Sequence, residues 1–365
     1  MRIVLVTHYM PPHVGGVEQV AATLAGAYGR AGHDVTWLST AVPRRATGLP
    51  AVHAVRVAAW NILERRRSMP FPLVSPTAYP TVARTIRGAD VVHIHDCIYL
   101  TSVLAAVASA RASIPYVVTQ HVAMVPFGRP VDAALRATYR TVGRAVLRRA
   151  ARVVYVSAAV RHWFTERVGP DVDGAVIENA VDTERFRPPA AGERETARDR
   201  LGVPRSARVV LFTGRLVPKK NVGVVAAAAS SARVHLLVVG DGPERSALAR
   251  TAALTHVPNL PHDRMTDAYW AADVFVLPSV GEGLPVSAVE AAACGLPLVV
   301  STDPAFDALE DAGAVRVVPV ATELAQTLAS ADAARGATAR AWAERSHGAR
   351  AFAEAYLAML TAARR

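Results

Sequence analysis

The sequence predicts an α/β protein built as two Rossmann-like domains that face each other across a cleft. Short β-branched runs alternate with longer helical patterns, which is how βαβ units and a parallel sheet read in sequence. The alternation occurs twice, and 365 residues exceed one domain at ~100–200 residues each. With 52% hydrophobic and 19% charged residues the chain folds by burial, and disordered, collagen-like and disulfide-stapled classes are excluded.

In the first half, β-branched runs predict strands at Arg2–Val6, Asp34–Leu38, Val91–Ile94, Tyr116–Thr119, Val153–Val156 and Ala175–Ile177. The longer patterns between them predict helices at Val17–Ala31, Ile98–Ala110, Asp132–Ala150 and Ala158–Arg167. The second half repeats this, with strands near Val209–Thr213, His235–Val239, Val274–Leu277, Leu298–Val300 and Val315–Val318. Its helices are expected at Asn221–Ser230, Pro243–Leu254, Val286–Ala293 and Thr322–Ser330. Asp182 to Pro189 and the charged stretch Glu193–Arg200 interrupt the apolar periodicity, so the hinge is expected there. Residues 1–183 then form the first domain and 184–344 the second. An Ala-rich amphipathic helix over about Arg340 to Leu360 is expected to carry the tail, residues 345–365, back onto the first. Open α/β sheets bind ligands at the carboxyl ends of their strands, which places the site in the cleft.

Two cysteines, Cys97 and Cys294, match no metal-ligand spacing, and a reducing cytoplasmic setting is expected. The first residues lack the pattern of a signal peptide, and charge-free stretches such as the 14 residues between Asp96 and Arg111 are too short to cross a bilayer. The net charge of +11 is unevenly placed: residues 1–180 hold 20 Arg, no Lys and 10 acids, whereas residues 181–365 hold 21 bases against 20 acids. The basic half calls for an anionic partner. Lysine is rarer still. Only Lys219 and Lys220 occur among 41 basic residues, adjacent in one motif, where a compact point charge serves better than a planar fork.

The first strand runs into Thr7-His8-Tyr9-Met10-Pro11-Pro12-His13-Val14-Gly15-Gly16-Val17-Glu18, whose paired glycines let backbone amides approach an anion at a helix start. A tight turn without ligand reads equally well. A dinucleotide-dehydrogenase reading fails because G-x-G-x-x-G and an acidic ribose ligand after Val35–Ser39 are both missing. His93, His95 and His121 lie at strand ends facing the expected cleft, suited to a sugar hydroxyl or phosphate, although structural histidines are commoner. Gly214-Arg215-Leu216-Val217-Pro218-Lys219-Lys220 opens the second domain, and Arg215 and Lys220 converge across a glycine loop as a diphosphate clamp. Gly240-Asp241-Gly242-Pro243 is another glycine turn. Glu282 before a helix and Glu290 inside it suit a hydroxyl-rich ligand, general acid/base hydrolysis, or simple complementation of the helix dipole.

Together these motifs resemble the group 1 family of retaining, GT-B-fold nucleotide-sugar glycosyltransferases, over nearly the whole chain. The resemblance is carried by Gly15-Gly16-Val17-Glu18, Asp90 to His95, Thr119-Gln120-His121, Ser157, Asn179 to Asp182 with Phe186, Gly214-Arg215 through Lys220, Gly240 to Pro243, Ala272 to Ser279, and Glu282 to Gly295. It implies that Arg215 and Lys220 bind the donor diphosphate, that Glu282 contacts the donor sugar and Glu290 the ribose, and that His121 lies near the reacting sugar. It further implies donor contacts from Gly16, Gly214, Gly283, Leu284 and Val286, and acceptor contacts from His8, Gly15 and His95. Ala180, Asn221 and Pro285 stand where glycine is usual, which bears on donor-sugar preference and removes no charge. No metal or other cofactor is expected, since no Asp-x-Asp pattern follows the carboxyl end of a strand. The partners are a nucleoside diphosphate sugar and a hydroxyl acceptor, a lipid-linked, phosphorylated or natural-product molecule.

Nucleic acid is excluded as a partner because it explains neither the glycine loops nor the glutamate pair. A sugar-nucleotide epimerase and a silent partner of a transferase remain as alternatives. Trp60 to Phe71 mixes Arg65, Arg66 and Arg67 with apolar residues, and Arg136, Arg140, Arg144 and Arg148 recur every four residues. Both suggest peripheral contact of the basic domain with the inner face of a membrane, and a solvated face explains them equally.

Overall fold

A computed structural model describes residues 1–13, 15–42, 52–67 and 69–364, the side chain of Arg67 excepted. The chain divides into two compact units, Met1–Glu178 with Arg350–Arg365, and Asn179–Ala349.

The first unit contains β1 (Arg2–Val6), β2 (Asp34–Thr40), β3 (Val52–Val57), β4 (Ala59–Trp60), β5 (Leu73–Val74), β6 (Val91–His95), β7 (Tyr116–Gln120), β8 (Arg152–Tyr155) and β9 (Ala175–Val176). A 7-stranded sheet has the order β3-β2-β1-β6-β7-β8-β9, all neighbours parallel, while β4 and β5 pair antiparallel outside it. The second unit holds β10 (Val209–Thr213), β11 (His235–Val239), β12 (Leu254–Val257), β13 (Val274–Leu277), β14 (Leu298–Ser301) and β15 (Val315–Val317) in one parallel sheet, ordered β12-β11-β10-β13-β14-β15. The central strands β6, β7, β10 and β13 are buried along their whole length, as expected of parallel strands covered by helices on both faces. Val4, Ile94, Val118, Tyr155 and Phe164 belong to the first core, and Leu211, Phe212, Leu237, Phe275, Val299 and Trp342 to the second.

Strand order positions the functional loops. β1 lies between β2 and β6, and β10 between β11 and β13, so the loops after β1 and β10 sit where the order reverses in each sheet. The pairing of β10 with β13 also brings together the segments that follow Thr213 and Leu277.

Several elements differ from the sequence expectation. The stretch 132–150 is a helix Arg129–Thr138, a π turn Tyr139–Gly143 and a helix Arg144–Arg148. Gly143 packs against Cys97 and Ile98, where a Cβ would meet the Cys97 sulfur at 3.2 Å. The expected helix Pro243–Leu254 is a 3₁₀ turn Pro243–Leu248 followed by β12, and strands β3, β4 and β5 were not anticipated. The tail is two helices, Ala334–Ser346 and Ala349–Ala363, separated at His347-Gly348.

The stretch expected to form the hinge lies inside the second unit. Residues Glu193–Leu201 are a helix whose Arg198 is buried, donating to the carbonyls of Ala271 and Ala207 and to Asp273. The units divide at 178/179 and 349/350 rather than 183/184 and 344/345. The reason is local: Val181 exchanges backbone hydrogen bonds with His347 and Ala349, and Asn179 donates to the Leu284 carbonyl at 2.6 Å. In the first unit, the helix Ala349–Ala363 buries Tyr356, whose hydroxyl accepts from Thr119.

Candidate active site

The loop after β10 is held by its neighbour β11. Gly214 donates to Val239 O and Leu216 to Asp241 O, both at 3.0 Å. The second glycine turn is the platform for this contact: a Cβ on Gly240 would overlap the Gly214 carbonyl, and one on Gly242 the Leu216 carbonyl. Gly214 itself has φ +133°, and a Cβ there would lie 3.7 Å from Cε of Lys220. The loop closes with Asn221 in the left-handed region, φ +53°, its side-chain amide donating to Pro278 O at 2.7 Å. Val280 N–H donates to Lys219 O at 3.0 Å, so the loops after β10 and β13 are stitched together.

That stitching brings three charges to one point. The ammonium groups of Lys219 and Lys220 lie 3.2 and 3.0 Å from Oε1 of Glu282, and Lys219 also donates to Gly281 O. Burial alone raises the Glu282 pKa, but Lys219 and then Lys220 outweigh it and hold the carboxyl at about 2. Burial lowers the pKa of Lys220, with Glu282 opposing and Lys219 reinforcing the shift. Arg215 is half-buried in the same loop.

Gly283 and Leu284 are buried, and Val286 is the first residue of the helix Val286–Ala293. The amides of such a first turn have no acceptor within the helix. Glu290 lies one turn further on, away from the lysines. Its Oε2 accepts from Tyr269 at 2.6 Å and its Oε1 lies 3.8 Å from Nδ1 of His262. Burial pushes Glu290 up to about 7. Sequence reasoning missed Lys219 and Tyr269 as members of this site. The lysine bias signalled Lys219, whereas Tyr269 carried no motif.

In the first unit, Gly15 caps the helix Gly16–Arg30 in extended backbone, so its φ is not the reason for glycine. A Cβ on Gly15 would overlap the Glu18 carboxylate, which folds back over it, while a Cβ on Gly16 would meet nothing within 4 Å. Glu18 is buried, with Oε1 3.7 Å from Nε2 of His8 and 3.5 Å from Nδ1 of His13. The second ring nitrogen of His13 lies 3.3 Å from Glu64, and Tyr9 stacks on the His13 ring and donates to Glu64 at 2.8 Å. Burial opposes the charge on His13, but hydrogen bonds to Glu18 and Glu64 outweigh it and raise its pKa to about 9. His8 stacks on Tyr99 with centroids 3.7 Å apart.

His95 Nδ1 and His121 Nε2 are 2.7 Å apart, and burial keeps both imidazoles neutral, His121 with a pKa of about 3. His93 does not join a site face as expected. It is fully buried between Tyr28 OH (3.2 Å) and Thr119 Oγ1 (2.8 Å). Asp96, at φ +61°, accepts from Gln120 Nε2 and from His121 N–H, and burial raises it to about 7. Glu18, His13, Glu64 and Asp96 were not assigned from sequence, although Glu18 and His13 lie in the motif loop.

The arginine repeat is not one free stripe. The π turn rotates it, Arg144 and Arg148 both pair with Asp171, and Arg140 donates to Arg167 O. Trp60 and Ile62 are exposed at 53% and 47%, beside exposed Arg65 and Arg66. Ser68 and the Arg67 side chain lie outside the described residues, as does Val14 of the glycine loop. Among the described residues no helix is long and apolar enough to cross a membrane.

Residues 14–185 match the family described as Glycosyltransferase Family 4, and residues 207–333 match Glycosyl transferases group 1. A D-inositol 3-phosphate glycosyltransferase of Acidothermus cellulolyticus is 31% identical over 78% of this chain and 70% of its own length. A Bacillus subtilis glycosyltransferase assigned to teichuronic acid biosynthesis is 32% identical over 58% of this chain, and the match spans about half, 52%, of that relative. D-inositol 3-phosphate glycosyltransferases of Mycobacterium tuberculosis are matched over 58% of their length at 30% identity. Among solved structures, Anabaena HepE in complex with UDP-glucose superposes with a TM-score of 0.79 over 99% of this chain and 100% of that one, at 18% identity. Sucrose-phosphate synthase from Thermosynechococcus elongatus gives 0.76 over 99% of each chain at 21% identity. These structural likenesses show the fold.

Proposed function

The chain belongs to the group 1 glycosyltransferases, and on that premise we propose that it transfers a hexose from a nucleoside diphosphate sugar to an acceptor hydroxyl with retention of configuration. The observation that carries the proposal is the meeting of Lys219, Lys220 and Glu282 above Gly214, at the sheet's switch point and beside the helix start at Val286.

Departure of a nucleoside diphosphate breaks the bond between the anomeric carbon and the β-phosphate oxygen and leaves negative charge on that phosphate. Cations already fixed in a water-poor loop stabilise this charge as it develops, without reorganisation. In this reading Lys220 and Arg215 hold the diphosphate, with the amides of Gly214, Gly283, Leu284 and Val286 as further donors; on the first unit, the amide of Gly16 is offered to ligand. Glu282 accepts from sugar hydroxyls and Glu290 from the ribose. The cationic loop supplies the charge compensation, so the reaction needs no metal. On the first unit His121 is a neutral imidazole whose Nε2 is committed to His95, and its role in this reading is toward the transferred sugar. His8, Gly15 and His95 bind the acceptor on the first unit. The names of relatives that act on D-inositol 3-phosphate, or were solved with UDP-glucose, support a UDP-hexose donor and a polyol acceptor.

We further propose that the exposed Trp60 and Ile62 with Arg65 and Arg66 bring the enzyme to an anionic membrane surface, where a lipid-linked acceptor is presented. The deciding experiment is a thermal-shift screen against UDP, GDP, ADP and TDP, because a ligand bound by the native state raises its apparent stability. One nucleotide is expected to raise the melting temperature, and Lys220→Ala to abolish the effect. A shift that survives in Lys220→Ala removes the proposed clamp.

A further inference from the structure

Diphosphate binding accounts for Lys220 and leaves its neighbour without a task. Resting on the donor reading above, we propose that Lys219 is a positioning residue: it keeps the Glu282 carboxylate charged and in place once Lys220 has engaged the donor diphosphate.

The geometry separates the two lysines. Both ammonium groups share Oε1 of Glu282, at 3.2 Å for Lys219 and 3.0 Å for Lys220. Lys220 is the one that overlies Gly214, where a Cβ would lie 3.9 Å from its Nζ, and so is the one placed over the loop that would cradle phosphate. Lys219 is turned the other way. Its ammonium donates to Gly281 O at 3.3 Å and its carbonyl accepts from Val280 N–H at 3.0 Å, so it is tied on both sides to the segment that carries Glu282. When a diphosphate draws Lys220 away, Lys219 remains as the counter-ion.

Without that counter-ion the carboxylate would be buried beside a new anion, a state that protonation relieves. Asp303, from the segment after β14, fixes the adjoining backbone; its carboxylate accepts the Gly281 N–H at 2.8 Å. The charged groups facing Glu282 are thus Lys219 and Lys220 from the β10 loop, with Asp303 holding the adjoining backbone. A protonated Glu282 becomes a hydrogen-bond donor at one oxygen and loses an acceptor site for sugar hydroxyls. The choice of lysine fits: two compact ammonium groups reach one oxygen where two planar guanidinium forks would collide, and this chain has lysine nowhere else.

The test follows the Glu282 carboxyl directly. The full chain, ¹³C-labelled at glutamate carboxyls, is titrated from about pH 4 to about pH 8, with and without the nucleoside diphosphate that most raises its melting temperature. The Glu282 signal is the one lost in Glu282→Gln. Wild type is expected to stay ionised throughout in both states. Lys219→Met should stay ionised without nucleotide, where Lys220 still pairs, and titrate with a midpoint above about 5 when nucleotide is bound. Lys219→Arg should restore ionisation, and unchanged melting temperatures would exclude misfolding as the cause. A nucleotide-bound Lys219→Met that remains ionised at the lowest pH overturns the proposal. Failure of the donor reading looks different: Lys220→Met would then bind the nucleotide as wild type does, or no nucleotide would bind at all.

Discussion

Tyr269 donates its phenolic hydrogen to Oε2 of Glu290 at 2.6 Å, and both side chains are buried, Glu290 on the helix Val286–Ala293. Burial pushes Glu290 up to about 7 from 4.5, with Tyr269 and Arg185 opposing the shift. The folded state therefore binds the proton more tightly than the unfolded state. The stability this contributes is full below about 4.5 and is lost as pH rises through about 7. Urea unfolding across that window should show wild type losing on the order of 2–3 kcal/mol relative to Glu290→Gln. Parallel profiles for the two proteins would show that Glu290 is ionised throughout.

His13 has the opposite charge and a different window. Glu18 and Glu64 raise its pKa from 6.5 to about 9 against the effect of burial. A raised histidine stabilises fully below 6.5, and that stability disappears as pH rises through about 9. Melting temperatures of wild type and His13→Gln should converge over this range, from a gap worth on the order of 1–2 kcal/mol at neutral pH. A gap that is constant with pH would mean that packing on Tyr9, not charge, is what His13 supplies.

Gly15 and Gly16 are adjacent, yet the structure predicts different costs for adding a methyl group. At Gly15 the Cβ collides with the Glu18 carboxylate, and at Gly16 it enters open space. Gly15→Ala should cost about 1–3 kcal/mol by differential scanning calorimetry, and Gly16→Ala close to nothing. Because the clash is with Glu18, Gly15→Ala and Glu18→Ala should couple in a double-mutant cycle. If Gly16 faces a ligand as proposed, Gly16→Ala lowers transfer activity while leaving the melting temperature in place.

The exposed pair Trp60 and Ile62 flanks Arg65 and Arg66 in one short segment. Co-sedimentation with anionic liposomes should fall several-fold in Arg65→Ser/Arg66→Ser and in Trp60→Ala, and should weaken as salt is raised. Binding that is absent in wild type, or indifferent to these changes, would assign the segment to solvent.

What the sequence made legible was mostly what parallel sheets enforce. Buried β-branched strands at β1, β6, β7, β10 and β13 announce themselves as apolar runs, and the pairing of β10 with β13 then brings Lys220 to Glu282 across 62 residues of chain. Edge elements carried weaker signals. β12 follows a 3₁₀ turn and its residues are all half-buried, so its pattern merges with the preceding helix-like run. Side-chain partners on segments without a motif were not legible. Glu64 sits among arginines read as a basic surface, yet it completes the clamp on His13 from 51 residues away. Tyr269 reads as a core aromatic, and only its hydroxyl, aimed at Glu290, makes it part of the site. The division between units lies outside the charged stretch because charge density does not imply exposure: Arg198 is buried, with its hydrogen bonds accepted by carbonyls and by Asp273.

Lys220 and Glu282 form one ion pair, but removing either should move nucleotide binding in opposite directions. Lys220→Ala takes away the cation over Gly214 and leaves Glu282 neutralised by Lys219 alone. Nucleoside diphosphate affinity should then fall by at least about tenfold, and turnover by about 10²–10³, the usual cost of losing one preorganised donor to a developing anion. Glu282→Ala leaves two ammonium groups side by side with no carboxylate between them, a repulsion that a bound diphosphate relieves. Its apo form should therefore be less stable than wild type, while its affinity for the nucleotide is equal or higher. Turnover should still fall, because the sugar has lost its acceptor. Calorimetric titration of both variants with the same nucleotide, set beside their turnover numbers, separates these effects. Loss of affinity in both variants would mean that Glu282 orders the loop for the phosphate, not the site for the sugar.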